Sequence, residues 1–240
     1  MPVTKIPLPP WLRIKPPGGE NYVRIKGLLG RHGLNTVCEE ASCPNVSECW
    51  GGGTATFMIM GNACTRGCRF CSVASAARPG ALDLGEPRHL AEALAALNLK
   101  YAVITTVCRD DLADQGAAHI AECIREVRER IPGMILEILT GDFQGDSELL
   151  KAVVQAGPHV LCHNLETVER LTPHVRDRRA GYHQSLEVLR QAKALRPQAP
   201  TKSSLMVGLG ETQAEIQDAF RDLRAVGVEI VTLGQYLRPS

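Results

Sequence analysis

Cysteine is the residue type in this chain that points most directly to chemistry. Six of the nine cysteines lie in one short stretch of the N-terminal third and form two sets of three. The downstream triad has the spacing C-x3-C-x2-C and comprises Cys64, Cys68 and Cys71. The upstream triad has the spacing C-x4-C-x5-C and comprises Cys38, Cys43 and Cys49. One disulfide cannot pair three thiols, whereas three thiolates can ligate a cubane iron–sulfur cluster and leave its fourth iron open.

Zinc is the alternative metal for the downstream triad. Zinc sites commonly use paired C-x2-C units, and only Cys68 and Cys71 form such a pair. None of the seven histidines forms a pair with metal-ligand spacing, so iron is favoured. Three further cysteines belong to neither triad. We expect Cys123 to be buried on an apolar helical face, and Cys108 and Cys162 to lie near strand ends without a cluster role.

Charge and hydropathy exclude several classes of protein. The 240 residues include 27 Lys and Arg against 26 Asp and Glu, which gives no reason to expect a nucleic-acid or membrane-surface partner. No apolar run approaches the roughly 20 residues that span a bilayer. Residues 1–15 lack the apolar core of a secretion signal, and their prolines disfavour a transit peptide. The expectation is a cytoplasmic protein in which the thiols stay reduced.

Apolar runs alternate with helical patterns over most of the chain. The first 17 residues predict an extended arm, Tyr22, Ile25 and Leu29 predict a short helix, and 38–53 predicts a loop. Six apolar runs then predict strands at 54–60, 101–107, 134–139, 159–163, 203–207 and 229–233. Helical patterns lie between the strands, and the last of them opens with the capping box Thr212–Glu215.

Six strands that alternate with helices predict a parallel sheet covered by helices. Because a closed eight-stranded barrel needs about 250 residues, we expect an α/β fold with an incomplete (β/α)6 barrel. A doubly wound sheet is the second interpretation. We divide the chain into a cluster-binding extension at 1–53 and a partial barrel at 54–240. Both architectures place function at the carboxyl ends of the strands, where the downstream triad follows the first strand.

The downstream triad, with Phe70 before its last cysteine, resembles the motif of the radical S-adenosylmethionine (radical SAM) superfamily. The wider pattern resembles the lipoyl synthase family within it. The stretches that carry this resemblance run in order through the chain: CEEASCPNVSEC from Cys38, GTATFM from Gly53, RDDL from Arg109, HNLET from His163, PTKSSLMVGLGET from Pro200 and TLGQY from Thr232. The likeness covers nearly the whole chain.

The resemblance implies two 4Fe–4S clusters with different functions. The cluster on the downstream triad would bind S-adenosylmethionine at its open iron and generate a 5′-deoxyadenosyl radical. That radical would remove hydrogen from carbons 6 and 8 of an octanoyl chain, which is in amide linkage to a carrier-protein lysine. The cluster on the upstream triad would donate the two sulfurs. The implied partners are octanoylated lipoyl-carrier domains (2-oxoacid dehydrogenase E2 subunits and the glycine cleavage H protein) and a ferredoxin or flavodoxin as electron donor.

Further candidates lie at strand ends. Those for S-adenosylmethionine binding are Glu137, Asn164, Gly208, Gly210 and Glu211, and for each a structural role is the alternative. Lys202 and Ser204 begin the fifth strand, where stability is the expected role. The segment 109–111 would orient a ligand or cap a helix. The basic run Arg176–Arg179 could meet an acidic carrier domain, but a solvated loop is the favoured interpretation.

The C-terminus departs from the family pattern. Lipoyl synthases continue past the TLGQY strand and end near an Arg-Ser-Ser-Tyr segment, whose first serine is the expected fourth ligand of the sulfur-donating cluster. This chain has only Ser240 beyond Ser204, and we expect a shortened chain in which Ser240 is no substitute. A non-catalytic or half-active iron–sulfur protein and a biotin synthase-like sulfur-inserting enzyme are the alternatives.

Overall fold

The computed structural model describes residues 16–40, 43, 45–52, 54–97 and 99–238. The strands are β1 (Asn35–Thr36), β2 (Thr54–Ile59), β3 (Ala63–Cys64), β4 (Ala74–Ser75), β5 (Tyr101–Thr106), β6 (Ile135–Leu139), β7 (Val160–Cys162), β8 (Thr201–Val207) and β9 (Ile230–Gln235). The α-helices are α1 (Glu20–His32), α2 (Val37–Glu40), α3 (Val46–Gly51), α4 (Glu86–Leu97), α5 (Ala117–Arg130), α6 (Ser147–Gln155), α7 (Thr172–Val175), α8 (Tyr182–Leu195) and α9 (Gln213–Ala225).

The main sheet has the strand order β1-β2-β5-β6-β7-β8-β9. From β2 onward every neighbouring pair is parallel, and the order of the strands follows the chain without a reversal. Right-handed crossovers between such strands place their helices on one face, so the sheet curls into part of a barrel. The prediction of an incomplete barrel is confirmed. The doubly wound alternative is wrong because it requires the strand order to reverse.

The six predicted strands correspond to β2 and β5–β9, and their bounds shift by one or two residues. Beyond them, β1 pairs antiparallel with β2 at the edge, and β3 and β4 form a separate pair around the downstream triad. The capping box is present, since Thr212 Oγ1 accepts from the Glu215 N–H and the Glu215 carboxylate accepts from the Thr212 N–H. Local periodicity did not predict the β1–β2 or the β3–β4 pairing.

The expectation of a loop at 38–53 is wrong. Two short helices, α2 and α3, form within this stretch. Val46 and Trp50 are four residues apart, which places both on the buried side of α3. The Trp50 ring lies 5.0 Å from the Tyr22 ring of α1, measured between centroids. Apolar packing therefore orders a segment whose many polar and turn residues predicted irregular structure.

Helix α1 forms where the sequence predicted it and packs against the barrel. Ile25 and Leu29 are buried, in one core with the apolar residues of α4 and β2. The helix ends at Gly33, which adopts a left-handed conformation (φ 62°) and donates its N–H to the Leu29 carbonyl. Nearly all of the extended arm predicted for the first 17 residues lies outside the described part of the chain.

The opposite edge of the sheet is formed by β9. All six of its residues are exposed, among them Ile230, Val231 and Leu233. An exposed edge strand leaves one row of backbone hydrogen-bonding groups facing solvent. Among the described helices, none has the length and apolar character needed to cross a membrane.

Candidate functional site

A cavity of about 260 Å³ opens at the carboxyl ends of β5, β6 and β7. All three cysteines of the downstream triad line it. The opposing walls come from the residues that end the three strands, including Cys108, Asp142 and Asn164. The sequence placed the triad after the first strand of the barrel, and the cavity is at the strand ends where the fold favours chemistry.

Backbone amides point at the sulfurs of this triad. Cys64 Sγ accepts from the N–H of Arg66 at 3.4 Å and from the N–H of Cys108 at 3.3 Å. Cys68 Sγ accepts from the N–H of Asp177 at 3.3 Å. Amide donors directed at sulfur stabilise thiolates and the clusters that thiolates bind. Three free thiols that face one cavity, two of them with amide donors, fit an iron–sulfur cluster.

The thiols of the triad differ in their readiness to ionise. A hydrogen bond with the Cys108 side chain lowers the pKa of Cys64 to about 6, although burial opposes the shift. The pKa of Cys108 lies well above its usual value, because of the same hydrogen bond and its own burial. Burial also raises the pKa of Cys68 and of Cys71. Only Cys64 is a thiolate at neutral pH, so metal binding at the triad must release protons from the other two.

A buried ion-pair network fixes the loop that carries the triad. Arg66, between the first two cysteines, is only 5% exposed. Its guanidinium group donates to Asp110 at 2.8 Å and to Asp142 at 2.8 Å, and these residues follow β5 and β6. Thr65 Oγ1 also donates to Asp110. Although burial alone would raise it, the Arg66 guanidinium lowers the pKa of Asp142 to about 2. The network ties the cysteine loop to two strand ends.

The segment Arg176–Arg179 forms the other support of the loop. The Gly67 N–H donates to Asp177 Oδ2 at 3.0 Å, and Arg179 Nη2 donates to the Thr65 carbonyl at 2.6 Å. Arg176 itself lines the cavity. The favoured interpretation of this run as a solvated loop is therefore wrong for three of its four residues. Their contacts join positions more than 100 residues apart, and no local pattern could reveal them.

The upstream triad is also drawn together. The Cys43 N–H donates to the Cys38 carbonyl at 3.0 Å, and Cys49 lies in α3. Burial raises the pKa of Cys49, and the nearby Cys38 and Cys43 thiols raise it further. Val37, the residue before Cys38, lines the cavity. The chain thus reaches the cavity next to Cys38, whereas the three upstream cysteines themselves lie outside the cavity lining.

Two buried polar atoms on the cavity wall have no hydrogen-bond partner in the described part of the chain. They are Thr140 Oγ1 and Arg176 Nε. Such atoms carry a desolvation cost unless a ligand or water satisfies them. Both residues line the cavity, although these two atoms are themselves closed off from solvent.

Two family models match the chain, and together they cover most of it. The model described as "Radical SAM superfamily" matches residues 58–223, and the model described as "N-terminal domain of lipoyl synthase of Radical_SAM family" matches residues 3–43. The lipoyl synthase of Anaeromyxobacter dehalogenans is 61% identical over 97% of this chain and 79% of its own length. The chain belongs to the lipoyl synthase family.

A mitochondrial lipoyl synthase from Branchiostoma floridae is 54% identical over 98% of this chain and 64% of its own length. Solved structures confirm the fold alone. Methylornithine synthase superposes with a TM-score of 0.62 at 16% identity, covering 90% of this chain and 65% of that one. The hydrogenase maturase HydG superposes with a TM-score of 0.63 at 16% identity, covering 78% of this chain and 44% of that one.

Of the further candidates that the lipoyl synthase resemblance suggested, Asn164 lines the cavity and Glu137 does not. Glu137 is 2% exposed and lies between Lys202 Nζ, at 2.9 Å, and the Tyr101 hydroxyl. That contact agrees with the stabilising role expected for Lys202. The ion pair spans β6 and β8 on the inner side of the barrel and compensates the buried carboxylate.

Gly208, Gly210 and Glu211 lie outside the cavity lining. Both glycines have positive φ angles, 106° and 104°. The Glu211 carboxylate accepts from the N–H groups of Gly208 and Leu209, and so closes its own turn. The segment forms a tight turn after β8, and its Gly210 carbonyl accepts from Arg170 Nη2 at 2.9 Å.

Several residues at the site were not identified from the sequence as part of it. His163 is 3% exposed and bridges Thr140 O and Ser185 Oγ, both at 2.9 Å. Burial lowers the pKa of His163 to about 4, so the ring is neutral. Glu166 has a left-handed backbone (φ 69°), and burial raises its pKa. Both residues belong to the HNLET motif that carries the family resemblance. Their position near the candidate Asn164 was the available sequence signal.

Proposed function

We propose that this chain is a lipoyl synthase-type radical SAM sulfurtransferase. It would insert two sulfur atoms at carbons 6 and 8 of a protein-bound octanoyl chain to form the lipoyl group. The observation that carries the proposal is the convergence of Cys64, Cys68 and Cys71 on one cavity, in a chain of the lipoyl synthase family.

The two triads would hold two 4Fe–4S clusters. Cys64, Cys68 and Cys71 would hold the first, with one iron open to the cavity for S-adenosylmethionine. The residues 1–53 would act as an extension whose cysteines, Cys38, Cys43 and Cys49, hold the second, sulfur-donating cluster. When bound, the clusters and S-adenosylmethionine supply the one-electron chemistry that unactivated C–H bonds require.

The residues of the chain would bind and orient the ligand. Thr140, Asn164 and Arg176 are polar residues of the cavity wall and would supply the polar contacts. Apolar residues such as Val107 and Leu139 also line the cavity and would exclude water from reactive species. Contacts of Glu137, Gly208, Gly210 and Glu211 with S-adenosylmethionine are proposed on the resemblance alone.

Partners and compartment follow from the same proposal. The substrate would be an octanoylated lipoyl-carrier domain of an E2 subunit or of the glycine cleavage H protein. A ferredoxin or flavodoxin would supply the electrons. Nine free thiols suit a reducing compartment, which we propose to be the cytoplasm. The mitochondrial relative makes an organelle the alternative location.

The cluster content tests the first half of the proposal. Anaerobically purified chain is expected to contain about eight irons with equal sulfide. The single variants Cys68→Ala and Cys43→Ala are each expected to lose half of the iron and half of the sulfide, because each removes a ligand of one cluster. Cys162→Ala is the matched control, since Cys162 is buried and lies outside the cavity lining. Zinc without sulfide would exclude the clusters.

The reaction itself is tested by mass spectrometry. An octanoylated carrier domain is incubated with the cluster-loaded chain, S-adenosylmethionine and dithionite. The expected product contains two sulfurs in place of two hydrogens. Absence of that product from a chain with both clusters intact would contradict the proposed activity. Deoxyadenosine without sulfur insertion would restrict the activity to the first cluster.

A further inference from the structure

Two exposed arginines flank the mouth of the cavity. Arg69 lies between Cys68 and Phe70, and both of these neighbours line the cavity. Arg178 likewise lies between the lining residues Arg176 and Ala180. Within the described ranges, neither Arg69 nor Arg178 forms a salt bridge or a side-chain hydrogen bond. Their guanidinium groups are therefore available to a partner.

Backbone contacts place the two arginines on the same side of the mouth. The Arg69 N–H donates to the Val175 carbonyl at 2.9 Å, three residues before Arg178. Asp177, which precedes Arg178, donates its N–H to the Sγ of Cys68, which precedes Arg69, at 3.3 Å. The segments that carry the two side chains are thus joined at the cysteine loop. We call this pair of arginines the arginine rim.

The carboxylates near the arginine rim are already paired. Asp177 accepts from Arg179 at 2.8 Å, and this guanidinium group also lies 3.4 Å from Asp110. Asp110 in turn holds Arg66. With these acids neutralised by other arginines, the rim carries uncompensated positive charge. The chain as a whole has a formal charge of only +1, so this is a local feature and not a consequence of a basic protein.

We propose that the arginine rim docks an acidic protein surface, namely the surface that surrounds the acylated lysine of the carrier domain. This inference rests on the proposed function, because that function requires a protein-bound acyl chain to enter the cavity. Charged groups at the rim of an interface mainly accelerate and orient encounter, and their effect falls with salt. Guanidinium groups pair well with carboxylates in this role.

Direct binding tests the inference without requiring turnover. Isothermal titration of an octanoylated carrier domain into the cluster-loaded full chain is performed from low to high salt. The double variant Arg69→Glu/Arg178→Glu is expected to weaken binding about tenfold at low salt and to flatten the salt dependence. The double variant Arg88→Glu/Arg224→Glu is the matched control, because both arginines are exposed and neither has a described side-chain partner. It is expected to bind as the wild type does.

A short uncharged octanoyl-lysine peptide separates docking from the chemistry. The double variant is expected to lose much less turnover with this peptide than with the carrier, with the iron content measured for each preparation. Unchanged carrier affinity in the double variant would overturn the inference, as would equal losses for the peptide and the carrier. A loss of oligonucleotide binding with carrier affinity intact would assign the rim to nucleic acid. Failure of the wild type to convert either substrate would instead contradict the proposed function.

Discussion

At the scale of single residues, the environment of Arg66 decides how the cysteine loop is held. A guanidinium group that is almost fully buried is stable only if its charge is compensated, and Asp142, with no exposed side chain, supplies half of that compensation. Asp142→Ala is therefore expected to lower the free energy of unfolding of the metal-free chain by about 3 kcal/mol. Urea denaturation measures this loss. Glu122→Gln, which breaks the exposed pair with Arg125, should cost under about 0.5 kcal/mol. Equal losses in the two variants would contradict the prediction.

At the scale of elements, the turn after β2 determines where the downstream triad begins. Met60 has a left-handed backbone (φ 70°), and its N–H donates to the buried Glu86 carboxylate, which His119 contacts at 2.6 Å. The Met60 side chain lies against Gly116, so close that a Cβ there would be 2.2 Å from its sulfur. Helices α4 and α5 thereby fix the path of the chain from β2 to Cys64.

Gly116→Ala tests this arrangement. The positive φ of Gly116 (82°) and the contact with Met60 both penalise a side chain, so we expect a loss of about 2 kcal/mol in the free energy of unfolding. Gly133→Ala is the matched control, because a Cβ at Gly133 meets nothing within 4 Å and its φ is not positive. Differential scanning calorimetry of both variants distinguishes them. A melting temperature for Gly116→Ala equal to that of Gly133→Ala would refute the role of the contact.

At the scale of the whole molecule, a neutral buried histidine links stability to pH. His163 has a folded-state pKa of about 4, whereas its ordinary value is 6.5. The unfolded chain therefore binds the proton first, and this contribution to stability is lost as the pH falls from 6.5 towards 4. The loss amounts to about 3 kcal/mol. Denaturation of wild type and His163→Gln over this range should give curves that converge at low pH. A His163→Gln curve that runs parallel to the wild-type curve would exclude the effect.

The sequence predicted what depends on local pattern. Apolar runs of strand length and helical spacing identified the six parallel strands, and cysteine spacing identified both triads without any tertiary information. Prediction failed where a segment is ordered by distant partners. Trp50 orders α3 by packing against Tyr22, and Asp177 and Arg179 support a loop more than 100 residues upstream. These contacts join residues that are distant in the sequence, so spacing along the chain carries no record of them.

The same limit applies within the site. The spacing of the cysteines predicted metal ligands, and the three of the downstream triad do line the cavity; their binding of metal stays a prediction. The sequence does not show which polar residues are buried. The roles of Arg66, Asp142 and His163 depend on their burial, so they could not be identified in advance. Glu137 shows the converse, since a carboxylate inside an apolar strand was noticed, yet its partner Lys202 lies two strands away in the sheet.

The hydrogen bond between Cys64 and Cys108 has a consequence for chemical reactivity. A thiol with a pKa of about 6 is largely a nucleophile at neutral pH, whereas its neighbours in the triad remain protonated. We therefore expect electrophiles and mild oxidants that reach the cavity to react first with Cys64, although Cys71 is the more exposed thiol. Iron bound at the triad, as proposed, would shield this sulfur by coordination, so the metal-free chain would be the vulnerable form. The order in which iron and oxidants reach the cavity would then decide whether the cluster forms or Cys64 is oxidised.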